Sequence, residues 1–346
     1  MFGTDRAGGG AVKAEHLVLF AFGVDGQVTR MEAFDVDRGD DALARFDELG
    51  ACNAEALAAA PRAACIENAA TRAADRYVEA WQALDIDRFA ALHAPGFRNV
   101  DRRQIMSTDL GRDEFLASFA FVFARLSSAT VVSEVLATRG DRLALFRMCV
   151  RGTESGSGPI EVPFLQIFEV DALGRIAAGF GFDPHDLDAA YAELDRRYAA
   201  GEAAPYPRVW ETLQRFERAA APRDWEEWAA MFAPDYRVED HRRLGWGTLH
   251  SRDEYTAYVR AIVDLAPDIT TRLDHVLALD DGRVFIIMRS VGSREGGPFE
   301  IPYVIVSALG TDGRIQRSDI YDLDQLGQAR ARFAVLCADP APEPTV

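Results

Sequence analysis

The sequence has little of what marks secreted, metal-binding or disulfide-bonded proteins. Only four cysteines occur among its 346 residues, at Cys52, Cys65, Cys149 and Cys337. None belongs to a Cys-x-x-Cys pair, and none lies near a histidine at the spacing of zinc ligands. We therefore expect four reduced thiols, with Cys149 buried in a strand, and no metal site.

Long apolar segments are also missing. The longest uninterrupted apolar run, Leu17–Phe22, is far shorter than the roughly 20 residues that a membrane-spanning helix needs. Residues 1–15 are glycine-rich and charged, and they lack the apolar core of a signal peptide. These absences predict a cytoplasmic protein without a membrane segment.

Positive charge is scarce. Lys and Arg number 38 against 55 Asp and Glu, which gives a formal net charge of −17. Such a surface repels phosphate backbones and anionic lipids, so neither nucleic acid nor membrane is an expected partner. A composition that is 49% hydrophobic and 27% charged is that of a globular protein, with room for two cores of about 100–150 residues each.

Familiar catalytic motifs do not occur either. There is no Ser-His-Asp order and no glycine-rich phosphate loop, and His93, His185, His241, His250 and His275 share no metal-ligand spacing. Any reaction is therefore expected to need no cofactor.

What the sequence does contain is a repeat. The stretch Pro159–Asp183 recurs as Pro298–Asp322 in the same frame, with its turn glycines at Gly174 and Gly313, an offset of 313 − 174 = 139. The closing half of the same stretch appears once more at His16–Asp35. A repeat this long indicates duplicated domains, since solenoid units have only about 20–50 residues.

The repeat divides the chain into four parts. Residues 1–62 are a partial copy with a closing hairpin and a helix, here called the half copy. Residues 63–200 are the first copy, residues 206–337 the second copy, and residues 338–346 a disordered tail. A lone hairpin is at best marginally stable, so we expect the half copy to dock on a full copy of this chain or of a neighbouring chain.

The order of elements within a full copy predicts an α+β fold. Ala73, Tyr77, Ala80, Trp81 and Leu84 form the apolar stripe of a first helix. In the first copy we predict helices at 66–83, at 86–93 and from 111 onwards, and strands at 97–103, 129–137, 142–151, 160–170 and 175–182. The second copy repeats this order. Helices must then cover one face of a curved antiparallel sheet.

Several residues together resemble the NTF2-like superfamily, in its SnoaL-like and ketosteroid-isomerase-like branch. They are Tyr77, Trp81, Asp85, Asp87, Phe89, Leu92, Pro95, Phe97, Asp101 and Gly174-Arg175-Ile176. The resemblance covers both full copies and, through the last two strands, residues 16–50. It implies tandem cone-shaped domains with a pocket between helices and sheet, a fold that hosts isomerases, polyketide cyclases, dehydratases, epoxide hydrolases and plain binding modules.

One strand is expected to carry a pocket carboxylate. Alternation places Asp101 and Arg103 on the same face as the aromatic Phe97, and Asp240 holds the matching place in the second copy (240 − 101 = 139). The resemblance implies that this aspartate is the general base. The alternative is a salt bridge to one of the adjacent arginines, such as Arg242 in the second copy.

Two more positions differ between the copies. The resemblance implies a pocket tyrosine 24 residues before the base, where Tyr77 stands, and a proton-donating acid eight residues before the turn glycine, where this sequence departs from the family pattern and has Gln166. The amide of Gln166 can donate to a developing oxyanion. The second copy has Phe216 and Ile305 at these places. Tyr77 has a second interpretation, as a core aromatic.

Further residues are expected to contact a ligand. These are Trp81 and Arg103 in the first copy, and Asp240, Arg242 and Trp246 in the second, where residues 241–247 form either a ligand lip or a solvated loop. The aspartates that follow each closing strand, Asp35, Asp183 and Asp322, are interpreted as helix caps.

Two functions remain open at this point. One is an isomerase or cyclase for a hydrophobic, polyketide-like or steroid-like carbonyl compound, in which Asp101 moves a proton while Tyr77 and Gln166 stabilise the oxyanion. The other is a non-catalytic ligand-binding module, either by itself or as a fragment of a larger regulatory protein. In both, the partner is a hydrophobic small molecule. The open sheet faces of the copies are expected to pair within one chain, or else between chains in a homodimer.

Overall fold

The computed structural model describes residues 2–4, 11–13, 16–22, 28–45, 66–154, 158–220, 224–294 and 297–338. Two compact units are present, residues 1–63 and residues 64–346, and each is described by itself. The tail beyond Ala338, the loop 155–157, Cys52 and Cys65 lie outside the described residues.

The first unit contains the hairpin predicted for the half copy. Strands β1 (Phe2–Thr4) and β2 (Ala11–Lys13) pair with each other, as do β3 (His16–Phe22) and β4 (Val28–Asp35), and helix α1 spans residues 39–45. The remainder of the predicted helix lies outside the described residues. Asp35 precedes a short 3-10 turn but makes no side-chain cap there, so its interpretation as a cap is wrong.

The second unit holds both full copies. The first copy consists of α2 (Ala69–Gln82), α3 (Ile86–Ala91), β5 (His93–Asp101), β6 (Thr108–Gly111), α4 (Arg112–Arg125), β7 (Leu126–Arg139), β8 (Leu143–Glu154), β9 (Gly158–Val170), β10 (Ile176–Phe182) and α5 (Leu187–Ala200). The second copy consists of α6 (Pro207–Ala220), α7 (Trp225–Ala230), β11 (Phe232–Asp240), β12 (Gly247–Leu249), α8 (Arg252–Leu265), β13 (Thr270–Asp280), β14 (Arg283–Arg294), β15 (Gly297–Leu309), β16 (Ile315–Tyr321) and α9 (Leu326–Ala338).

Local chemistry explains where the first elements begin. Asn68 caps α2 by accepting a hydrogen bond from the Thr71 amide at 2.8 Å, and its own amide donates to the carbonyls of Gly140 and Leu143 in the sheet. Strand β5 begins at His93, four residues earlier than predicted. Pro95 lacks only a backbone donor, and a strand tolerates this where that side of the ladder is unpaired.

All of the longer strands of the second unit belong to one sheet. The order is β12-β11-β16-β15-β14-β13-β7-β8-β9-β10-β5-β6. Within each copy the long strands form an antiparallel meander, and the first strand lies parallel to the last. The copies meet where β7 and β13 pair in parallel, at Thr138 with His275 and at Arg139 with Val276.

Each copy has a helix on the outer face of its part of the sheet. In the first copy, Leu194 and Tyr198 of α5 belong to the same apolar cluster as Leu145 and Ile167 of the sheet. In the second copy, α9 covers Phe285 and its neighbours. We expected the open sheet faces of the two copies to pair, but a helix covers each of them. The copies instead join at the sheet edges and through the cluster that contains α5, since this cluster also includes Trp210 of α6, whose ring lies 5.1 Å from Tyr198.

A buried arginine lies at the junction of the copies. Arg139 is fully buried, and its Nε donates to Asp195 at 2.7 Å. Its two Nη atoms donate to the backbone carbonyls of Asp274 at 2.9 Å and Leu273 at 3.1 Å, both in the second copy. One guanidinium thus satisfies acceptors on both sides of the junction.

Cys149 lies in β8 as expected, but it is half-exposed rather than buried. Its side chain points to the outer face of the sheet, where Glu161 lies 3.4 Å from the thiol.

Within the described ranges, no helix combines the length and the apolar character needed to cross a bilayer.

Candidate functional site

Asp101 ends β5 on the face that turns toward the helices. Only 8% of the residue is exposed. The neighbouring position on β10 is Gly181, where a Cβ atom would lie 3.2 Å from the carboxylate. The missing side chain lets the carboxylate lie against the strand.

Arg103 donates hydrogen bonds to both oxygens of this carboxylate. Oδ1 accepts from the Arg103 amide at 3.1 Å and from Nε at 3.0 Å, and Oδ2 accepts from Nη2 at 2.6 Å. The guanidinium lies 5.0 Å from the ring centroid of Phe164. The ion pair that the sequence left as an alternative is thus present, although it lies on the buried face. Proton abstraction by Asp101 would require Arg103 to release one oxygen.

The second copy repeats the same ion pair. Asp240 accepts from the amide, Nε and Nη2 of Arg242 at 3.1, 2.9 and 2.8 Å. Here the loop 241–247 turns toward the ion pair, since the backbone amide of Trp246 donates to Asp240. The Trp246 ring lies 4.9 Å from the Arg242 guanidinium and 4.3 Å from the Tyr258 ring. The loop 241–247 is therefore packed onto the ion pair at Trp246.

Gln166 lies on the other side of β10 from Asp101, and its amide lies against Gly179. It lies on β9, pairs with Gly181 and is 8% exposed. Its Nε2 donates to the Ile167 carbonyl at 3.0 Å. Asp101 and Gln166 are thus brought together on the two strands that flank Gly181.

Tyr77 belongs to an aromatic cluster between α2 and the sheet. Its ring lies 5.0 Å from both Phe89 and Phe168, and burial raises the pKa of its hydroxyl well above the usual value. Phe168 is two residues from Gln166 on the same strand, so Tyr77 borders the site. Trp81 packs 5.0 Å from Phe123, and its indole lies beside the hydroxyl of Tyr77.

Alternation along the strand places Asn99 on the same face as Asp101, but the sequence assigned no role to Asn99 and did not single out Gly179. They face each other on β5 and β10. A Cβ atom on Gly179 would lie 2.7 Å from Asn99 Oδ1 and 3.0 Å from Gln166 Nε2. The signal in the sequence was the pair of glycines at alternate positions of a strand, Gly179 and Gly181, which leaves one face of that strand bare.

His93 was also missed. Its Nδ1 lies 2.8 Å from the Phe89 carbonyl, which must accept the proton that this nitrogen carries. None of the described residues bonds to Nε2. Burial among aromatic rings lowers the pKa of His93 to about 4. The second copy has Phe232 at this position (232 − 93 = 139).

The corresponding space in the second copy is apolar. A cavity of about 30 Å³ lies between α6 and the sheet, and Phe216 and Ile305 line it. The polar groups on its wall are hydroxyls, among them Ser307 and Ser318, whose oxygens are 2.7 Å apart. Since neither Phe216 nor Ile305 has a donor, this cavity lacks the counterparts of Tyr77 and Gln166.

The aspartates after the closing strands anchor loops. Asp183 accepts from the backbone amide of Gln104 at 3.0 Å, and Asp322 accepts from the backbone amide of Arg243 at 3.0 Å. Asp322 also takes part in a capping box, whereas α5 begins after Asp186. Asp183 thus has a structural role, as expected, but it anchors the loop that follows Asp101 instead of capping a helix.

Two groups of the described residues bring three potential metal ligands within 4.8 Å of one another. Asp183, His185 and Asp186 form one of them, at the start of α5. The other consists of Glu239, His241 and Asp319. In this second group Arg317 and Arg332 already neutralise Asp319.

Comparison with a family model gives two matches. The model described as a SnoaL-like domain matches residues 74–179 and residues 213–318. One match lies in each full copy, so the resemblance seen in the sequence and the tandem α+β fold are confirmed. No curated protein matches this sequence significantly.

Several solved structures are similar to part of the chain. AusH from Aspergillus nidulans is 14% identical, with a TM-score of 0.30, over 33% of this chain and 82% of its own. A protein with a ketosteroid isomerase-like fold from Catenulispora acidiphila, in complex with trimethylamine, is 17% identical, with a TM-score of 0.29, over 32% and 84%. A Mycobacterium tuberculosis protein in complex with estradiol-17β-hemisuccinate is 14% identical, with a TM-score of 0.30, over 33% and 92%.

Proposed function

Because this chain belongs to the SnoaL-like domain family, with one matching stretch in each full copy, we propose that the first copy binds a hydrophobic carbonyl compound and isomerises or cyclises it by general-base catalysis without a cofactor. The observation that supports this most is that Asp101 and Gln166 lie on the two strands that flank β10, with the Asp101 carboxylate against Gly181 and the Gln166 amide against Gly179, two residues away. A base and a neutral donor then lie on one buried face of the sheet.

The proposed roles follow from the chemistry of each group. Asp101 takes a proton from the carbon next to the carbonyl, after Arg103 has released one carboxylate oxygen. Gln166 uses one N–H for the Ile167 carbonyl, which leaves a second N–H for the developing oxyanion. The buried hydroxyl of Tyr77 is a neutral donor at the edge of the site. Donors that are already in position and shielded from water stabilise such an anion strongly.

The second copy is proposed to bind a ligand without chemistry. It keeps the ion pair of Asp240 and Arg242, but Phe216 and Ile305 replace the two donors. Trp246 and Arg242 would contact a ligand at the mouth of this copy.

Turnover of a defined ketone tests the catalytic proposal. A β,γ-unsaturated ketosteroid, followed through the absorbance of its conjugated product, and 2-tetralone, followed through hydrogen exchange in D₂O, are suitable probes. General-base action contributes about 10²–10⁴ in rate, so Asp101→Asn should lose that factor while binding is retained. Tyr77→Phe should weaken turnover, and the matched variant Asp240→Asn should leave it unchanged. Full turnover by Asp101→Asn would sink the proposal.

One observation favours the second candidate, a non-catalytic binding module. The same ion pair, with the same donor atoms, occurs in the copy whose cavity is apolar. Under this candidate Asp101→Asn and Asp240→Asn lower stability equally, and the wild-type protein binds estradiol-17β-hemisuccinate but turns over neither ketone. Unequal effects of the two variants on turnover would exclude it.

A further inference from the structure

Two mid-strand glycines on β10 are unusual because the backbone does not require them. Gly179 and Gly181 lie outside the group of glycines with positive φ, to which the turn glycines Gly174 and Gly313 belong. A glycine in a strand costs stability, and where the backbone does not demand it, it commonly marks the close approach of another group. At Gly179 the approaching groups are two side-chain amides.

The side chains of Asn99, on β5, and Gln166, on β9, extend toward Gly179 on β10, the strand between them. A Cβ atom there would be 2.7 Å from Asn99 Oδ1 and 3.0 Å from Gln166 Nε2. The two polar atoms therefore lie within about 6 Å of each other on the same face, since each is that close to one point.

The second copy shows that these residues occur together. Adding 139 to each number gives Val238 for Asn99, Ile305 for Gln166 and Ser318 for Gly179. Both amides are replaced by aliphatic side chains, and the glycine is replaced by a residue with a side chain. Of the two copies, the one that has a glycine at this position is thus also the one that has the two side-chain amides.

The hydrogen-bonding capacity of the pair is largely unused. The Ile167 carbonyl takes one N–H of Gln166, which fixes the orientation of that amide and leaves its second N–H. Within the part of the chain that the structure describes, no hydrogen bond reaches the side chain of Asn99, so its Oδ1 keeps its acceptor capacity. A donor and an acceptor are therefore presented side by side.

We propose that Asn99 and Gln166 bind the amide edge of a lactam or cyclic imide. The ring carbonyl would accept from Gln166 Nε2, and the ring N–H would donate to Asn99 Oδ1. The apolar remainder of the ring would lie against Phe164 and Phe168, which flank Gln166 on the same strand face. This inference rests on the proposed function only in placing the ligand in the pocket of the first copy, and it makes Asn99 a specificity-determining residue.

The test compares two ligands that differ in one hydrogen-bond donor. Binding of glutarimide and of N-methylglutarimide to the full chain is measured by calorimetry and by the shifts of the side-chain amide signals of Asn99 and Gln166. A single hydrogen bond contributes about 0.5–1.5 kcal/mol, so the N-methyl compound should bind about three- to tenfold more weakly. Asn99→Leu and Gln166→Leu should each lower glutarimide affinity by a similar factor, and Asn99→Leu should abolish the difference between the ligands.

Gly179→Ala tests the geometry without removing either amide. The added methyl group would displace Asn99 Oδ1 from its position 2.7 Å away, so glutarimide affinity should fall by the same three- to tenfold. The matched control is Gly327→Ala in α9, where an added methyl group meets nothing within 4 Å, and it should not change the affinity. Circular dichroism and melting temperature establish that each variant is folded, and Asn99→Leu serves if Gly179→Ala does not fold.

Three results would overturn the inference: no glutarimide binding by the wild-type protein, equal affinity for the two ligands, or unchanged affinity in a folded Asn99→Leu variant. Each is distinct from failure of the proposed function. Imide selectivity that persists in a protein without ketone turnover leaves the inference standing and removes the catalytic proposal. Turnover that depends on Asp101 without any imide selectivity does the reverse.

Discussion

At the scale of single residues, the two copies differ in the side chains that surround Gly179 and Ser318 rather than in the ion pair. Asp101 and Asp240 make the same contacts with their arginines. The polar residues Asn99 and Gln166 of the first copy are replaced by Val238 and Ile305 in the second. A ligand that needs polar contacts is therefore expected in the first copy only.

We predict that His93 makes the stability of the protein depend on pH. Its pKa in the folded protein is about 4, below its usual 6.5, because burial disfavours the charged ring. Between pH 6.5 and 4 the unfolded chain therefore takes up a proton that the folded chain does not, and stability falls as the pH falls. The full effect is about 3 kcal/mol at or below pH 4.

The matched variant is His93→Phe, which installs the residue that the second copy has at Phe232. We expect it to flatten the dependence of the unfolding free energy on pH between 6.5 and 4, as measured by urea unfolding at several pH values. The variant also loses the bond to the Phe89 carbonyl, so only the slope is diagnostic. An unchanged slope would show that His93 is not the residue responsible.

At the scale of elements, a loop and the end of a strand are joined in the same way in both copies. The backbone amide of Gln104 binds Asp183, and that of Arg243 binds Asp322, with both distances at 3.0 Å. These loops directly follow the residues that make the ion pairs. The aspartate after each closing strand thus determines where the loop after Asp101 or Asp240 lies.

Asp183→Ala should therefore loosen the loop 102–107. Loss of an acceptor for a backbone amide costs about 1–2 kcal/mol, and hydrogen exchange of the Gln104 amide should become faster. Asp322→Ala is the matched variant, and it should affect the Arg243 amide but not that of Gln104. If exchange at Gln104 stayed unchanged in Asp183→Ala, the anchoring role would be wrong.

At the scale of the whole molecule, the two copies of the second unit are joined by a shared apolar cluster and by buried polar contacts. Arg139 links α5, through Asp195, to the backbone of β13. Thr138 and His275 bond across the same junction at 3.0 Å. Separating the copies would take the Arg139 guanidinium away from the carbonyls of Leu273 and Asp274. We therefore expect the two copies to unfold together.

Arg139→Ala tests that expectation. Removing one partner of a buried ion pair typically costs 3–5 kcal/mol, whereas an exposed pair contributes about 0–1 kcal/mol. Arg147→Ala, which breaks the exposed pair with Glu134, is the control. Calorimetry should show one transition for the wild-type protein and a large drop in melting temperature for Arg139→Ala only. Two separate transitions in the wild-type protein would contradict cooperative unfolding.

The sequence by itself determined the tandem architecture and the position of Asp101 on the buried strand face. Both depend on local signals, namely turn glycines repeated at an offset of 139 and the alternation of side chains along one strand. The expectation that residues 1–50 dock on a full copy stays a prediction. Only the tertiary structure showed that Arg103 occupies both oxygens of Asp101, that Asp183 anchors a loop 79 residues away, and that the copies join at β7 and β13. Asn99 and Gln166 are 67 positions apart (166 − 99), and only the fold brings both side chains to Gly179. The sequence did not predict this, because the order and register of neighbouring strands depend on how the whole sheet assembles and not on a local pattern.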